Sequence, residues 1–458
     1  MSDPTAGPFP DEVLRQLAER FDTPVFVYDL DELERRATGL RSALPPTVDI
    51  AYAVKANPAL AVLATLAGLG LGADVASRGE LAAALRAGIA PGRIVVTGPG
   101  KRDDELRRAV TAGVRAITVE SPGELERLER IAGEVAPDRP VPVLLRASAA
   151  ALGAERPPVD GVDSIAGADA VVSIDDGAGK FGMDGGDLLA CGRLALASDR
   201  LELLGLHAFV HSNVLDADAL ADHAEATTRL AVGLARRLGT ALRLIDVGGG
   251  LGIPYENGDP TLDLDRLGQR LARLVAAWSG DPILREARLL LEPGRHLVGP
   301  VGVYLARAVD VKAVDGRHTI VLDGGIHHLL RPALVGREHR IRLIPRQPRP
   351  PGPARPTTVA GPLCTGLDIL GRDVALAPAE PGDLVEVRDA GAYGFTESMP
   401  LFLSHPMPAE VAVRGGRATE VRGRVEPEAW LDGQRLAGAD GSTMVLAARQ
   451  EADLMRMT

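Results

Sequence analysis

Short apolar runs alternate along this chain with longer stretches in which apolar residues recur every three or four positions. The short runs are VDIAYAV (48–54), GADV (72–75), RIVVTG (93–98), AITVE (116–120), PVLLRA (142–147), LLGLHAF (203–209), LRLIDVG (242–248) and RLLLEPG (288–294). Such runs read as short buried strands. Between them RGELAAALRAG, DDELRRAVTAG, SPGELERLERIAGEV and LADHAEATTRLAVGLARRLG carry helical periodicity, and SPGE at 121–124 reads as a helix start with a capping box. Eight strands alternating with helices over about 250 residues predict an α/β architecture, a parallel (β/α)8 TIM-like barrel. A doubly wound open sheet is the alternative.

After residue 300 the texture changes. GVYLARAVDVKAV, RHTIVLDGG, DLVEVRDAG and AEVAVRGGRATEVRGR alternate at period two between glycine-rich turns, which predicts a C-terminal antiparallel β domain. PVFVYDL (24–30) precedes the barrel strands and is expected to join that domain in space. The expected organisation is an N-terminal segment 1–46 packing with the β domain, a barrel over 47–300, and the β domain over 301–458. Two stretches read as loops. Residues 150–169 follow the fifth strand and are placed to cover a site. HRIRLIPRQPRPPGPARP (339–356) has five arginines, six prolines and no acid. Its prolines exclude a regular central strand or helix. It reads as a solvated surface insertion, with a basic contact for an acidic protein as the sharper alternative.

Composition narrows the function classes. The chain has 458 residues, 46% of them apolar, which suits a globular protein of more than one domain. A net charge of −11 argues against a nucleic-acid binder. Two cysteines, Cys191 and Cys364, are too few for a disulfide framework. The N-terminus has no apolar signal core, and no apolar run is long enough to cross a bilayer. A cytoplasmic protein without membrane contact is expected. Of 51 lysines and arginines only four are lysines, Lys55, Lys101, Lys180 and Lys312. Arginine keeps its proton, whereas a desolvated lysine amine can lose it and act as a nucleophile. Each retained lysine is therefore a candidate for chemistry, against chance codon usage.

A barrel places its working groups at the C-terminal ends of its strands. Those ends carry Lys55, Asp74, Glu120, Arg146, His207, Phe209, Ser212, Gly248, Gly249, Gly250, Glu292 and Arg295. AYAVKANP (51–58) ends its apolar run on Lys55, which either reaches water or is held because its amine reacts. DVGGGLGIPY (246–255) is either a phosphate cradle of backbone N–H groups or a tight turn. Ser212 and Arg295 can serve the same phosphate. Glu292 is either an ion-pair partner of Arg295 or Arg146, or a carboxylate that holds a proton on a heteroaromatic nitrogen. Lysine, cradle and carboxylate together describe pyridoxal 5′-phosphate. No metal site is expected.

YAVKAN, GADVASRGEL, KFGM, DVGGGLG, EPGR, DGGIHHLLRPAL, GPLCTGLD and GAYG, in this order within residues 24–413, resemble the fold-type III pyridoxal-phosphate decarboxylases, the family of diaminopimelate and ornithine decarboxylases. The resemblance implies a lyase of amino-acid metabolism that works as a head-to-tail homodimer with shared active sites. It implies that Lys55 is the Schiff-base lysine and that Glu292 pairs with the pyridine nitrogen. Gly248, Gly249, Gly250, Ser212, Gly294, Arg295 and Tyr393 form the phosphate site, and Asp74, Arg146 and Phe209 complete the cofactor-binding set. Cys364 is the residue that a second subunit contributes to protonate the substrate carbon.

Three departures bear on the substrate. The family's stacking histidine aligns with Phe209, with His207 and His211 nearby as local packing or hydrogen-bonding residues. The slot after the cysteine, which carries an acid in decarboxylases of diamino acids, holds Thr365; Asp368 compensates only if it turns inward. RPAL continues with Val335 where tyrosine is usual, although Arg331 remains to hold a carboxylate. These changes predict a substrate without a free distal ammonium. FLSHPMPAEV and the aromatic stacking residue resemble the branch of antibiotic biosynthesis that acts on aminoacyl groups carried on an acyl carrier protein, an acidic partner that the 339–356 segment would suit. The alternatives are the diaminopimelate decarboxylase of lysine biosynthesis and a regulator that binds the cofactor without catalysis. Lys55, Glu292 and Cys364 argue against the latter.

Overall fold

The computed structural model describes residues 8–153, 172–173, 179–256, 258–350 and 352–434. Eight strands close into a parallel barrel: Val48–Ala53, Gly72–Val75, Ile94–Val96, Ala116–Val119, Val141–Ala147, Leu201–Ala208, Leu244–Asp246 and Arg288–Leu291. Each of the eight expected runs supplies one. Leu289, Leu290 and Leu291 pair with Val48, Asp49 and Ile50, so the last strand meets the first and the sheet is not open. Ala51, Val95, Ala116, Leu144, Leu244 and Leu290, from six of the strands, form a separate buried cluster that fills the interior. Strand contact demands glycine at Gly205. A Cβ on Gly205 would lie 1.8 Å from the Leu244 carbonyl oxygen, so the sixth and seventh strands meet there only without a side chain.

The barrel helices start where their caps dictate. Ser77 and Ser121 precede helices Arg78–Arg86 and Pro122–Val135. Each serine oxygen accepts the N–H three residues on, from Glu80 at 3.1 Å and Glu124 at 3.2 Å. Each of these glutamates reaches back to the amide before the serine, that of Ala76 or Glu120.

The second sheet has the order Ile369–Leu376, Arg355–Ala360, Arg317–Leu322, Gly302–Val314, Val25–Asp29, Ala409–Arg414, Arg417–Arg422; Ile341–Ile344 joins it through Leu384–Val387, which pairs with Gly302–Val314. PVFVYDL lies in this sheet as expected. The sheet is not purely antiparallel. Val25–Asp29 runs parallel to Ala409–Arg414, and Arg317–Leu322 runs parallel to Arg355–Ala360. Period-two alternation fixes a strand's faces but not its direction. Only a short hairpin forces antiparallel pairing, and these partners have none. Helix Asp11–Phe21 covers one face, with Leu14, Leu17 and Ala18 packed on Val25, Val27, Val303, Leu305 and Val411.

Residues 339–356 require the larger correction. Ile341–Ile344 is a short strand paired on one side with Leu384–Val387, and Pro345 follows its end. Three of its five arginines find acids from elsewhere in the chain. Arg340 lies 2.8 Å from Asp389, Arg349 lies 2.5 Å from Asp383, and Arg342 pairs with Glu386 and Asp11. A stretch without acids in sequence is thus partly neutralised in space. Of the expected loop at 150–169, residues 154–169 lie outside the described residues. Among the described residues no helix is long and apolar enough to cross a membrane.

Gly205→Ala is expected to destabilise the protein by about 3 kcal/mol or more, since the strands must part to admit the methyl group. Urea unfolding of the variant beside the parent checks this.

Candidate active site

The chain leaves the first barrel strand through a single 3-10 turn, Val54–Ala56, which lifts Lys55 over the barrel's end. Lys55 Nζ donates to Asp74 Oδ2 at 2.9 Å. Asp74 is buried on the second strand, and its Oδ1 accepts from Thr97 Oγ1 at 2.6 Å. Burial alone disfavours the ammonium, but Asp74 and then Glu292 outweigh it and raise the Lys55 pKa above the usual lysine value. The lysine side chain is 39% exposed, and the exposed part looks into a cavity. The neighbours of Lys55 in AYAVKANP fix the turn. Tyr52 Oη donates to the Asn57 carbonyl at 3.0 Å, and Asn57 Nδ2 donates to the Gly391 carbonyl at 2.9 Å. The Tyr393 amide donates to the Ala56 carbonyl at 2.8 Å. Tyr393 has φ +52°, a left-handed backbone held by that tie.

The opposite wall follows the seventh strand. Gly248 and Gly250 take φ +65° and +89°, which an L side chain rarely adopts, and a Cβ on Gly249 would lie 2.3 Å from the Glu292 carbonyl oxygen. Among the described residues nothing accepts the N–H of Gly249 or Gly250. Arg295 Nη2 donates to Ser212 Oγ at 3.2 Å, and Nη1 donates to Tyr255 Oη at 2.8 Å. The Arg295 guanidinium also lies 4.6 Å from the Tyr393 ring. Its Nε is buried without a partner. Donors thus converge on one corner of the cavity.

Glu292 ends the eighth strand and is buried. It pairs with neither Arg295 nor Arg146. Its Oε2 lies 3.6 Å from His207 Nε2, and its Oε1 is buried with no hydrogen-bond donor facing it. Burial would push this carboxyl up, but His207 and then Lys55 hold it below the ordinary value. His207 therefore acts locally, on Glu292.

Lys55, Phe209, Ser212, Gly249, Gly250, Glu292, Gly294, Arg295 and Tyr393 line the one cavity. Asp74 stands behind Lys55. Gly248 lies under Phe209, whose ring centre is 5.9 Å from Lys55 Nζ. Arg146 is not in the lining: it is buried against Glu120 at 2.7 Å, with Phe181 stacked on its guanidinium. Arg331 is buried with its guanidinium 3.8 Å from the centre of the Tyr255 ring, beside the Arg295 corner. Cys364 is exposed on the segment between Arg355–Ala360 and Ile369–Leu376, and Thr365 follows it. Asp368 is a correction. It turns inward, but its Oδ1 accepts the Ile326 amide and its Oδ2 the Leu363 amide, at 2.8 and 2.7 Å, so it braces the loop instead of facing a substrate. Four residues of the site were not singled out from sequence: Asn57, Thr97, Asp246 and Tyr255. Thr97 ends the third strand, so the strand-end rule finds it; Tyr255 closes the glycine motif.

Residues 30–299 match the family described as pyridoxal-dependent decarboxylase, pyridoxal binding domain. The chain is 35% identical to a diaminopimelate decarboxylase of Pseudomonas aeruginosa over 424 residues, 92% of this chain and 95% of the relative. It is 31% identical over 411 residues, 89% of this chain and 92% of the relative, to an L-glutamyl-BtrI acyl-carrier-protein decarboxylase of Niallia circulans. Among solved structures, a Helicobacter pylori diaminopimelate decarboxylase complexed with L-lysine superposes with a TM-score of 0.79 at 29% identity, covering 91% of this chain and 98% of the other.

Asp74→Asn removes the acid that holds the Lys55 proton, so the amine is expected to ionise at lower pH. The rate at which the apoprotein lysine reacts with trinitrobenzenesulfonate, followed against pH, should move to lower pH. A raised lysine pKa stabilises the fold below the ordinary lysine pKa and loses that contribution only as the pH rises through the folded value. Asp74→Asn is therefore expected to lower stability at neutral pH and to matter progressively less in strong alkali, as thermal melting would show.

Proposed function

The chain belongs to the pyridoxal-dependent decarboxylase family, and on that premise we propose that it removes the α-carboxylate of an amino acid without a free distal ammonium, taken free or on an acyl carrier protein. The family's cofactor is pyridoxal 5′-phosphate. The cavity suits it on two counts. Arg295 Nε and Glu292 Oε1 are buried polar atoms without partners, and a phosphate and a protonated ring nitrogen are groups that would satisfy them. When bound, the cofactor supplies an aldehyde for the amino group and an electron-withdrawing ring.

The chain's own residues divide the work. Lys55 presents its amine on a turn that cannot shift without breaking the ties of Asn57 and Tyr393. The amides of Gly249 and Gly250, the Ser212 hydroxyl and Arg295 donate toward a phosphate. Phe209 offers a flat apolar face in place of an imidazole that would titrate. Glu292 keeps negative charge where a ring nitrogen must hold a proton. Arg331, next to that corner, is the cation for a substrate carboxylate. Cys364 is the proton donor to the α-carbon, contributed by a second copy of the chain. Leu401, Phe402 and Leu403 support that dimer: these consecutive residues are 42–47% exposed and form an apolar strip for a partner to cover.

The observation that carries the substrate assignment is the loop at 361–368. Thr365 brings no charge, and both oxygens of Asp368 are occupied by backbone amides. No carboxylate on this loop is left for a distal ammonium. The internal pairing of Arg340, Arg342 and Arg349 takes support from residues 339–356 as the docking face of a carrier protein. Decarboxylation of diaminopimelate is the second reading, favoured by the Pseudomonas relative.

Carbon dioxide release separates them. L-Glutamate, or glutamate loaded on a carrier, is expected to be turned over in preference to diaminopimelate. Thr365→Glu should shift that preference toward diaminopimelate by about thirtyfold or more, since a desolvated, hydrogen-bonded charge pair is worth about 2 kcal/mol or more. Lys55→Ala should abolish the absorbance of the bound cofactor; unchanged absorbance would refute the lysine's role.

A further inference from the structure

Beneath the cavity floor lies a cluster that the roles above do not use in full. Glu292, Asp246 and His207 stand on the eighth, seventh and sixth barrel strands, all buried, with one side-chain N or O atom of each within 4.8 Å of the others. Asp246 Oδ1 accepts the Gly248 amide at 2.9 Å, while Oδ2 is buried with no N–H or O–H of the chain on it. The Glu292 and Asp246 carboxyl groups therefore face each other with an oxygen of each within 4.8 Å. Glu292 Oε1 and His207 Nδ1 are likewise buried and unpartnered. Two ionised carboxylates this close without water repel strongly and leave Asp246 Oδ2 unsatisfied, whereas Glu292 Oε1 has one lone pair for an Asp246 proton and another for the ring nitrogen. One proton between them removes the repulsion and supplies a hydrogen bond.

We propose that Asp246 is held as a neutral carboxylic acid that donates its proton to Glu292, and that this positioning residue, with His207, keeps Glu292 a weak base. The inference rests on the reading of Glu292 as the partner of the ring nitrogen. A carboxylate that accepts a hydrogen bond from Asp246 and faces His207 Nε2 has less basicity to spare. It therefore leaves a proton on the nitrogen it faces instead of taking it. Burial and the facing Glu292 charge raise the Asp246 carboxyl well above the carboxylate range, in agreement with the geometry. The other charged groups near the cluster are Lys55 and Asp74, themselves joined at 2.9 Å. His207 presents Nε2 to Glu292 and has no acceptor at Nδ1, the arrangement of a tautomer with its proton on Nε2.

Structure alone gives Asp246 a second task, bracing the glycine turn through Oδ1, and an ionised Asp246 would perform that equally well. The test separates the two. Infrared difference spectra of the apoprotein at neutral pH, parent minus Asp246→Asn, are expected to show one carboxylic-acid C=O band that moves in D2O. Absence of that band overturns the proposal. Since asparagine keeps an acceptor for Gly248 and a donor for Glu292, Asp246→Asn is expected to bind pyridoxal phosphate nearly as the parent does. Asp246→Leu should bind it about tenfold more weakly, the equivalent of about 1.4 kcal/mol. Equal weakening in both variants overturns the donor role. If Asp246→Asn does not fold, Glu292→Gln serves. With the facing charge gone, the same band is expected to vanish at a lower pH than in the parent, and an unmoved band overturns the proposal. The infrared band is read without cofactor, so failure of the cofactor reading and failure of this inference are distinguishable.

Discussion

The site depends on the contact between Lys55 and Asp74 at the end of the barrel. An ammonium and a carboxylate removed from bulk water are each costly, and together they are tolerable only when every remaining lone pair and proton is occupied. Asp74 meets that demand with Thr97 on one oxygen and Lys55 on the other. Lys101 shows the contrasting use of the same pairing. It lies 2.7 Å from Glu124, buried and outside the cavity lining, and there the ion pair ties the segment before helix Asp103–Ala112 to helix Pro122–Val135. What distinguishes Lys55 is the open space on its far side, where its nitrogen can be exchanged for another partner.

Much of this arrangement was legible in the residues. The eight barrel strands follow from eight short apolar runs, and the helix starts follow from Ser77 and Ser121. The rule that working groups lie at strand ends locates Lys55, Asp74, Glu292 and the triple glycine. Direction and pairing were less legible. Alternation at period two gives the faces of Val25–Asp29 but not its parallel neighbour, because its partner is some 380 residues away in sequence and no turn links them. Arg146 and Asp368 stand where function is expected, yet Glu120 and two backbone amides occupy them. Whether a charge is free or spent depends on long-range contacts that spacing does not record. The 339–356 segment fails for the same reason: three of its five arginines meet Asp11, Asp383, Glu386 and Asp389, none of them inside the segment.

Selectivity in such a site is decided less by what attracts a substrate than by what has been left out. A loop that places an uncharged threonine after its cysteine does not repel a cation directly. It declines to replace the water that the cation must shed. Phe209 acts in the same sense on the other face, because its ring offers contact without a proton that pH could add or remove.

The tie between the lysine turn and the loop around Tyr393 has a mechanical consequence. The barrel and the second sheet are joined at Ala56–Tyr393 and Asn57–Gly391, within two residues of Lys55. Any movement of one half of the molecule against the other would strain these ties. Lys55 thus stands on a seam between the two sheets, and that seam is the fixed jaw of the vice.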